Sequence, residues 1–463
     1  MAKQTPRGNE ALSFDRLRKI TADPASTVHF VGIGGVSMYS LARLAMLHGA
    51  KVTGSDREES ERTASLREIG AKISIGHSPE NVEGASLVVY THAVSDNNIE
   101  LEEAAKLGIP KVNRAEYMGA LMIGYTNRIG ISGSHGKSTT VAMLNAIMSL
   151  AGCDPTVLSG ADLPFGEPLK VGSDSMMIYE ACEYKDSFLR FSPTVSVGLN
   201  LELDHTDYFN SLDEMKTSFA KALGKATDFS VICGDDENLR RIINLIKTRT
   251  VTFGCRENND YRYSITAFKD SGFEFNITKF GNTVGDFEIN LPGVFNVHNA
   301  VCAIVTALEY GIDTKVIAEA VRAFRGIPRR LELIGYRGTR QIFYDYAHHP
   351  TEIAASINAL KMLTHEPITV IFRPHTFSRT KSLWEELRRS LAMADFLILT
   401  DIYPAREEPI RGITSERLAH EIGHNAVYRT DCEVVKYLDT STRGAIVLMG
   451  AGDVEHIKKE ILN

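Results

Sequence analysis

Arg128-Ile129-Gly130-Ile131-Ser132-Gly133-Ser134-His135-Gly136-Lys137-Ser138-Thr139-Thr140 carries an apolar strand through a Gly/Ser turn into Lys-Ser-Thr-Thr and a helix. Residues in this order make a phosphate cradle. Backbone N–H groups of the turn and the positive end of the helix behind it converge on phosphate oxygens. A lysine adds a mobile charge, and a serine hydroxyl suits a magnesium ion. Gly133, Ser134, His135, Gly136, Lys137, Ser138 and Thr139 are therefore expected to hold nucleotide phosphates, with Ser138 on the metal. Taken alone, the run also fits an ordinary strand-to-helix turn, so the rest of the chain must decide.

The flanking sequence repeats the strand-and-helix rhythm. Upstream, VHFVGIGG, SLARLAMLHG, KVTGSD, AKISIGH and ASLVVYTHAV alternate buried strands with amphipathic segments, as a parallel sheet requires. Downstream, DSMMIYEAC, PTVSVGLNLE and DFSVICGDDE are three more buried strands separated by helical stretches. Between Thr250 and Leu291 the pattern becomes alternating runs with turn residues (YRYSITAF, FEFNITKFGNTVGDFEI). This predicts an antiparallel patch, after which a helix beginning near His298 returns to the core. Beyond Arg325-Gly326-Ile327-Pro328 a third alternation begins. It comprises QIFYDYA, a helix from Pro350, PITVIFRP, a helix around Trp384, DFLILTDIY, a helix after Thr414, and GAIVLMGAGD. At 463 residues the chain is too long for one core. The expected α/β architecture has three domains in series: a Rossmann-like domain over 1–118, a P-loop central domain with an added antiparallel patch over 119–326, and a Rossmann-like domain over 327–463.

Composition excludes several classes. With 43% hydrophobic and 24% charged residues and a net charge of -7, the chain reads as globular, and its mild acidity argues against a protein that coats nucleic acid. Six cysteines lie scattered without paired spacing, which fits buried thiols in a reducing cytoplasm better than disulfides or zinc. The start, MAKQTPRGNEALSFDRLRKI, has no apolar core of signal-peptide length, and no stretch approaches the roughly 18 apolar residues of a membrane span. The expectation is a cytoplasmic monomer or homodimer with no nucleic-acid partner and no membrane insertion.

A second glycine turn, Gly32-Ile33-Gly34-Gly35-Val36-Ser37, follows the first strand and opens a helix, with Asp56 at the end of the next strand. That spacing fits a dinucleotide fingerprint with a ribose-binding acid, except that Ser37 stands where the third glycine belongs. A glycine turn approaches any diphosphate equally well, so nicotinamide, another diphosphate and a purely structural turn all remain open. Two acidic clusters accompany the phosphate loop. Glu180 ends the strand MMIYE with Glu183 close behind, and Asn200-Leu201-Glu202-Leu203-Asp204-His205 ends another. A carboxylate at a neighbouring strand end is where magnesium, held by Ser138 and phosphate oxygens, finds a ligand.

Together, the shorter Gly133-x-x-Gly136-Lys137-Ser138 spacing, Glu180-Ala-x-Glu183, Asn200-x-Glu202-x-Asp204-His205, Gly293-x-x-Asn296-x-x-Asn299-Ala300 and Arg329-Arg330-Leu331-Glu332 resemble the ordered landmarks of the Mur ligase family. The resemblance spans most of the chain. It implies an ATP-driven amide synthesis: a carboxylate on a UDP-linked sugar takes the γ-phosphoryl group, and an amino acid's amine attacks the acyl phosphate. It implies that Lys137 gathers phosphates, that Ser138 and Glu180 hold one Mg2+ and His205 another, that Asn296 and Asn299 hydrogen-bond adenine, and that Arg330 reaches the phosphates. By the same resemblance the first domain binds UDP through Gly32, Gly34, Gly35, Ser37, Met38, Asp56, His77, Thr91 and Ala93. Two departures stand out. Cys182 replaces an aspartate found in many relatives, and no lysine is identified with the carbamylated lysine some relatives use.

In the third domain, Tyr344-Asp345-Tyr346-Ala347-His348-His349-Pro350-Thr351-Glu352 and Phe372-Arg373-Pro374-His375-Thr376-Phe377-Ser378-Arg379-Thr380 occupy successive strand ends, which share one crevice in a parallel sheet. They closely resemble the segments of the family members that join L-alanine to the lactyl carboxylate of UDP-N-acetylmuramate in peptidoglycan precursor synthesis. The resemblance assigns Asp345 to the ATP ribose and brings Tyr346, His348 and Arg379 to the alanine. A guanidinium can grip the alanine carboxylate, and His348, titrating near neutral pH, is expected to take the ammonium proton. Thr376 stands where some relatives carry a second arginine. The rivals are a relative that attaches a whole peptide to the same nucleotide sugar, a nicotinamide-dependent oxidoreductase, which leaves the phosphate loop without work, and a non-catalytic nucleotide sensor.

Overall fold

The computed structural model describes residues 12–462 except 96, 270, 406, 424 and 453. Residues 1–11, which open the N-terminal stretch discussed above, lie outside the described residues, as does residue 453 at the end of GAIVLMGAGD. The first sheet consists of β1 (Thr27–Val31), β2 (Lys51–Asp56), β3 (Lys72–Ile75), β4 (Leu87–Tyr90) and β5 (Lys111–Asn113), all parallel in the order β3-β2-β1-β4-β5. The order reverses between β1 and β4, so their carboxyl ends open a crevice. Gly32 faces Thr91 across it.

The second sheet contains β6 (Asn127–Ser132), β7 (Pro155–Leu158), β8 (Leu169–Lys170), β9 (Ser173–Glu180), β10 (Val195–Gly198), β11 (Phe229–Cys233), β12 (Thr250–Gly254), β13 (Tyr261–Lys269), β14 (Gly272–Lys279) and β15 (Asn282–Ile289). Its order is β15-β14-β13-β12-β11-β10-β6-β9-β7-β8. The β13-β14-β15 meander is the expected antiparallel patch. β6 sits between β10 and β9, parallel to both. The two acidic strand ends therefore flank the phosphate loop. The returning helix spans Val294–Glu309, starting four residues ahead of the expected His298, because Gly293 at φ 87° makes the turn into it.

The third sheet, β16 (Glu332–Arg337), β17 (Arg340–Asp345), β18 (Ile368–Phe372), β19 (Phe396–Leu399), β20 (Ala426–Tyr428) and β21 (Ala445–Met449), runs β16-β17-β21-β18-β19-β20, with only β16 antiparallel. The buried apolar side chains divide unevenly. One continuous cluster extends from Leu17 to Ile327 and joins the first two sheets. The third sheet has its own clusters on its two faces. Among the described residues no helix is long and apolar enough to cross a membrane.

A buried carboxylate braces the first sheet. Glu100, at 0% exposure, lies 3.7 Å from His29 and 3.2 Å from His77 and accepts hydrogen bonds from Ser55 and Asn81. Burial opposes its charge, but His29, Ser55 and Asn81 hold the carboxyl down at about 2, against an ordinary 4.5. The depressed value means that this stabilisation is present above pH 4.5 and disappears as pH falls towards 2. Glu100→Gln is expected to cost about 3 kcal/mol at neutral pH, with the deficit shrinking through that acid window. Denaturant titrations at several pH values check it, and a pH-independent deficit would contradict the assignment.

Candidate active site

The phosphate loop is held open by its own backbone and by the strand beside it. Gly136 adopts φ 83°, a left-handed turn in which a Cβ would collide with the side-chain oxygen of Asn299. The helix Lys137–Leu150 starts immediately after it, aiming its N-terminus at the cleft. The Asn200 side chain clamps the loop from β10, accepting the His135 N–H at 2.8 Å and donating to the His135 carbonyl at 3.1 Å. Lys137 Nζ folds back onto the Gly133 carbonyl and lies 3.1 Å and 3.2 Å from the two oxygens of Glu183.

Glu183 is only 1% exposed and also faces His205 Nε2 at 3.6 Å. Its burial opposes ionisation, yet Lys137 and His205 hold its carboxyl below the usual range. Glu180, at the end of β9, is oriented from behind by the Ser159 hydroxyl at 2.9 Å and the Gly160 N–H at 2.6 Å. Lys137, Ser138, Glu180 and His205 line one cavity of about 280 Å³ together with Arg330, Tyr346, His348 and Arg379. The sequence-predicted groups of the second and third sheets thus meet at one point.

A larger cavity of about 880 Å³ runs from the first glycine turn to Lys137 and Glu180. Gly32, Gly34, Gly35, Ser37, Met38, Asp56, His77, Thr91 and Ala93 all line it. The helix Val36–Leu47 directs its N-terminus there. Asp56 ties the turn down: Oδ2 accepts the Gly34 N–H at 2.8 Å and Oδ1 the Arg57 N–H at 2.8 Å. Cys182 lines the same cavity beside Glu180.

Polar pairs join the third sheet to this centre. Arg379 Nη2 lies 3.2 Å from Asp204 Oδ1, Thr351 donates to Glu202 at 2.8 Å, and the Tyr346 N–H donates to the Arg329 carbonyl at 2.8 Å. Arg329 and Arg330 stack over the Tyr346 ring at 4.7 and 5.3 Å. Thr376, at φ 61°, caps the helix Phe377–Ser382 and accepts the Arg379 N–H. His205, Arg329 and Leu331 also carry positive φ values of 53°, 61° and 48°, so backbone strain gathers around the cleft.

Three expected residues sit differently from their simplest reading. His348 does not titrate near neutrality: burial, with Arg379 adding to it, pushes its imidazole down to about 4, so it is neutral at physiological pH. Asp345 is 3% exposed, and its carboxylate accepts from the Ala347 N–H and the Ser356 hydroxyl, while burial raises its carboxyl to about 6. Asn296 is buried and spends its amide N–H on the Pro292 carbonyl at 2.8 Å. Glu352 carried no assigned role in the sequence, yet it faces His135 at 3.1 Å, Arg330 at 3.7 Å and His348 at 3.5 Å. Its position three residues after the helix cap His349 is the capping-box spacing, the one local signal it had.

The comparisons with known proteins agree with this layout. Residues 27–126 match the Mur ligase family catalytic domain, 131–307 the Mur ligase middle domain, and 329–457 the Mur ligase glutamate ligase domain. The chain is 38% identical over 454 residues to a UDP-N-acetylmuramate--L-alanine ligase of Caldanaerobacter subterraneus subsp. tengcongensis, covering 96% of this chain and 99% of the relative. It is 40% identical over 437 residues to a protein of the same name from Caldicellulosiruptor bescii, covering 92% and 96%. The crystal structure of a UDP-N-acetylmuramate-alanine ligase from Thermotoga maritima superposes with a TM-score of 0.80 at 28% identity, covering 94% of this chain and 98% of that one. A murein peptide ligase from Psychrobacter arcticus, 24% identical with a TM-score of 0.72 and the same coverage, shares the fold. With the phosphate loop, the acidic strand ends on either side of it and matches along nearly its whole length, the chain belongs to the Mur ligase family.

Proposed function

We propose that the protein is an ATP-dependent ligase that joins L-alanine to the lactyl carboxylate of UDP-N-acetylmuramate through an acyl phosphate. The observation that carries this reading is the cleft: a diphosphate-sized glycine turn, a phosphate loop and an arginine able to grip a carboxylate open onto connected walls that share Lys137, Glu180, His205 and Arg379. The division into 1–118, 119–326 and 327–463 assigns one substrate to each unit: UDP-sugar, ATP and amino acid. A cytoplasmic location fits nucleotide substrates.

In this reading the UDP diphosphate lies on Gly32–Ser37 and its sugar carboxylate reaches the Lys137 end of the cavity. Lys137 and Arg330 neutralise the phosphates while the carboxylate comes in line and takes the γ-phosphoryl group, releasing ADP. Ser138 and Glu180 offer hard oxygen donors suited to Mg2+, with His205 across the same cavity; when bound, the ion would screen phosphate charge. Arg379 exchanges Asp204 for the alanine carboxylate and aims the amine at the acyl carbon. The C–N bond forms, the acyl C–O bond breaks, phosphate leaves and the amine gives up its proton.

The neutral His348 imidazole suits a hydrogen bond that orients the amine and has little capacity to retain a proton. His348→Gln is therefore expected to raise the KM for alanine about 10-fold, with the shape of the pH profile between 6 and 9 unchanged. Loss of an ionisation near neutrality from kcat would instead restore His348 as the proton acceptor.

Phosphate release with Mg2+, ATP and UDP-N-acetylmuramate, run with L-alanine, with a muramyl-type tripeptide and with no amine, tests the function. Dependence on L-alanine with an alanyl nucleotide sugar as product is expected. Dependence on the tripeptide would assign the peptide-adding reaction instead.

A further inference from the structure

A histidine–carboxylate cluster stands beside the cleft, distinct from Ser138, Glu180 and His205. His135 of the phosphate loop and Glu202 after β10 meet His349 at the cap of the helix Pro350–Thr364, and the ligand atoms of all three lie within 4.8 Å of one another. His135 Nε2 is 3.3 Å from Glu202 Oε2, and His349 Nδ1 is 3.7 Å from the same oxygen. Bonds of roughly 2.0–2.2 Å at tetrahedral angles place donor atoms roughly 3.3–3.6 Å apart, so the His135–Glu202 edge already has the required length and the His349–Glu202 edge is about 0.1 Å longer.

The tautomers also suit a cation. His135 Nδ1 faces Glu352 Oε1 at 3.1 Å, an arrangement in which the Nδ1–H donates to the carboxylate and Nε2 is turned towards Glu202. His349 Nδ1 is unprotonated, accepting the Thr351 N–H in a long bond of 3.4 Å, and a cation beside Glu202 would take its single lone pair over from this helix cap. The two rings lie with centroids 4.9 Å apart. Burial works against charge on His135, but Glu202 and Glu352 raise its imidazole to about 9; the proton it holds balances two carboxylates. A divalent cation would displace that proton and answer the same negative field.

We propose that His135 Nε2, Glu202 Oε2 and His349 Nδ1 form a binding site for a borderline-soft divalent cation of the Zn2+ class, with Glu352 as the carboxylate behind His135. Two imidazoles and one carboxylate favour such an ion over Mg2+. Because His135 belongs to the phosphate loop and His349 to the third sheet's leading helix, the bound ion ties the two together.

The test uses the full-length protein treated with chelator and titrated with Co2+, followed by visible absorbance, with Zn2+ displacing it. One equivalent of Co2+ giving the strong bands of a tetrahedral site is expected. His349→Ala and Glu202→Gln, which remove donors from different segments, should each abolish the bands or weaken affinity by more than about 100-fold, and Glu352→Gln by about 10–100-fold. Thermal melts report whether each variant is folded, and two donor variants guard against the loss of one. Glu180→Gln should leave the bands intact. Absent bands in the wild type, bands that survive both donor substitutions, or bands lost in Glu180→Gln overturn the site. The absorbance does not depend on ligase turnover, so it stands apart from the functional assay.

Discussion

Lys137→Ala is expected to lower turnover by about 100–1000-fold, the usual cost of deleting one preorganised donor to developing charge. The effect should fall mainly on kcat, because backbone N–H groups of the loop still bind phosphate. The same substitution leaves Glu183, 1% exposed, without its closest cation, 3.1 Å away. An uncompensated buried carboxylate costs about 3–5 kcal/mol, so the melting temperature should drop as well. The double variant Lys137→Ala/Glu183→Gln separates the two losses: it should recover most of the stability and none of the turnover. A Lys137→Ala enzyme that keeps a tenth of wild-type turnover would remove this lysine from phosphoryl transfer.

Arg379→Ala is expected to lower kcat/KM for L-alanine by about 100-fold or more, through the loss of a charge-assisted grip on the carboxylate. Formation of the acyl phosphate does not require alanine, so exchange of label between ADP and ATP in the presence of UDP-N-acetylmuramate should persist. The guanidinium lies 3.2 Å from Asp204, whose carboxyl is held below its ordinary range despite burial, with Arg379 as the leading partner. Arg379→Lys keeps that charge but not the planar fork, and should fall between the wild type and alanine variant. An unchanged KM for alanine with impaired exchange would move Arg379 from the amino acid to the phosphates.

Much of this was legible in the chain because its signals are local. The phosphate loop, the first glycine turn and the strands around them announce themselves within a dozen residues, where turn chemistry and apolar periodicity act directly on the backbone. The antiparallel patch was visible for the same reason, since period-two alternation broken by Phe280-Gly281 marks a hairpin. Shorter pieces carried no such signal. β5 and β20 are three residues long, too short for a period, and their pairing is set by the neighbouring strands.

The succession of α/β units, the two glycine turns and the residue types that phosphoryl transfer needs all follow from local sequence signals. Their relations in space depend on long-range packing. The position of β6 between β9 and β10 brings Glu180 and His205 to opposite sides of Lys137. Packing fixed the charge states, because burial and neighbouring charges from distant segments neutralise His348 and protonate His135. It also decided which junction is greasy and which is polar. The first two sheets share one apolar cluster, whereas the third meets the site through Arg379–Asp204, Thr351–Glu202 and His135–Glu352. Hydrogen bonds and ion pairs exchange with water at little net cost, while an apolar cluster does not come apart so cheaply. Phe295 adds one apolar contact at that junction; a scattering profile that changes on nucleotide binding is the expected sign that the substrates govern its docking.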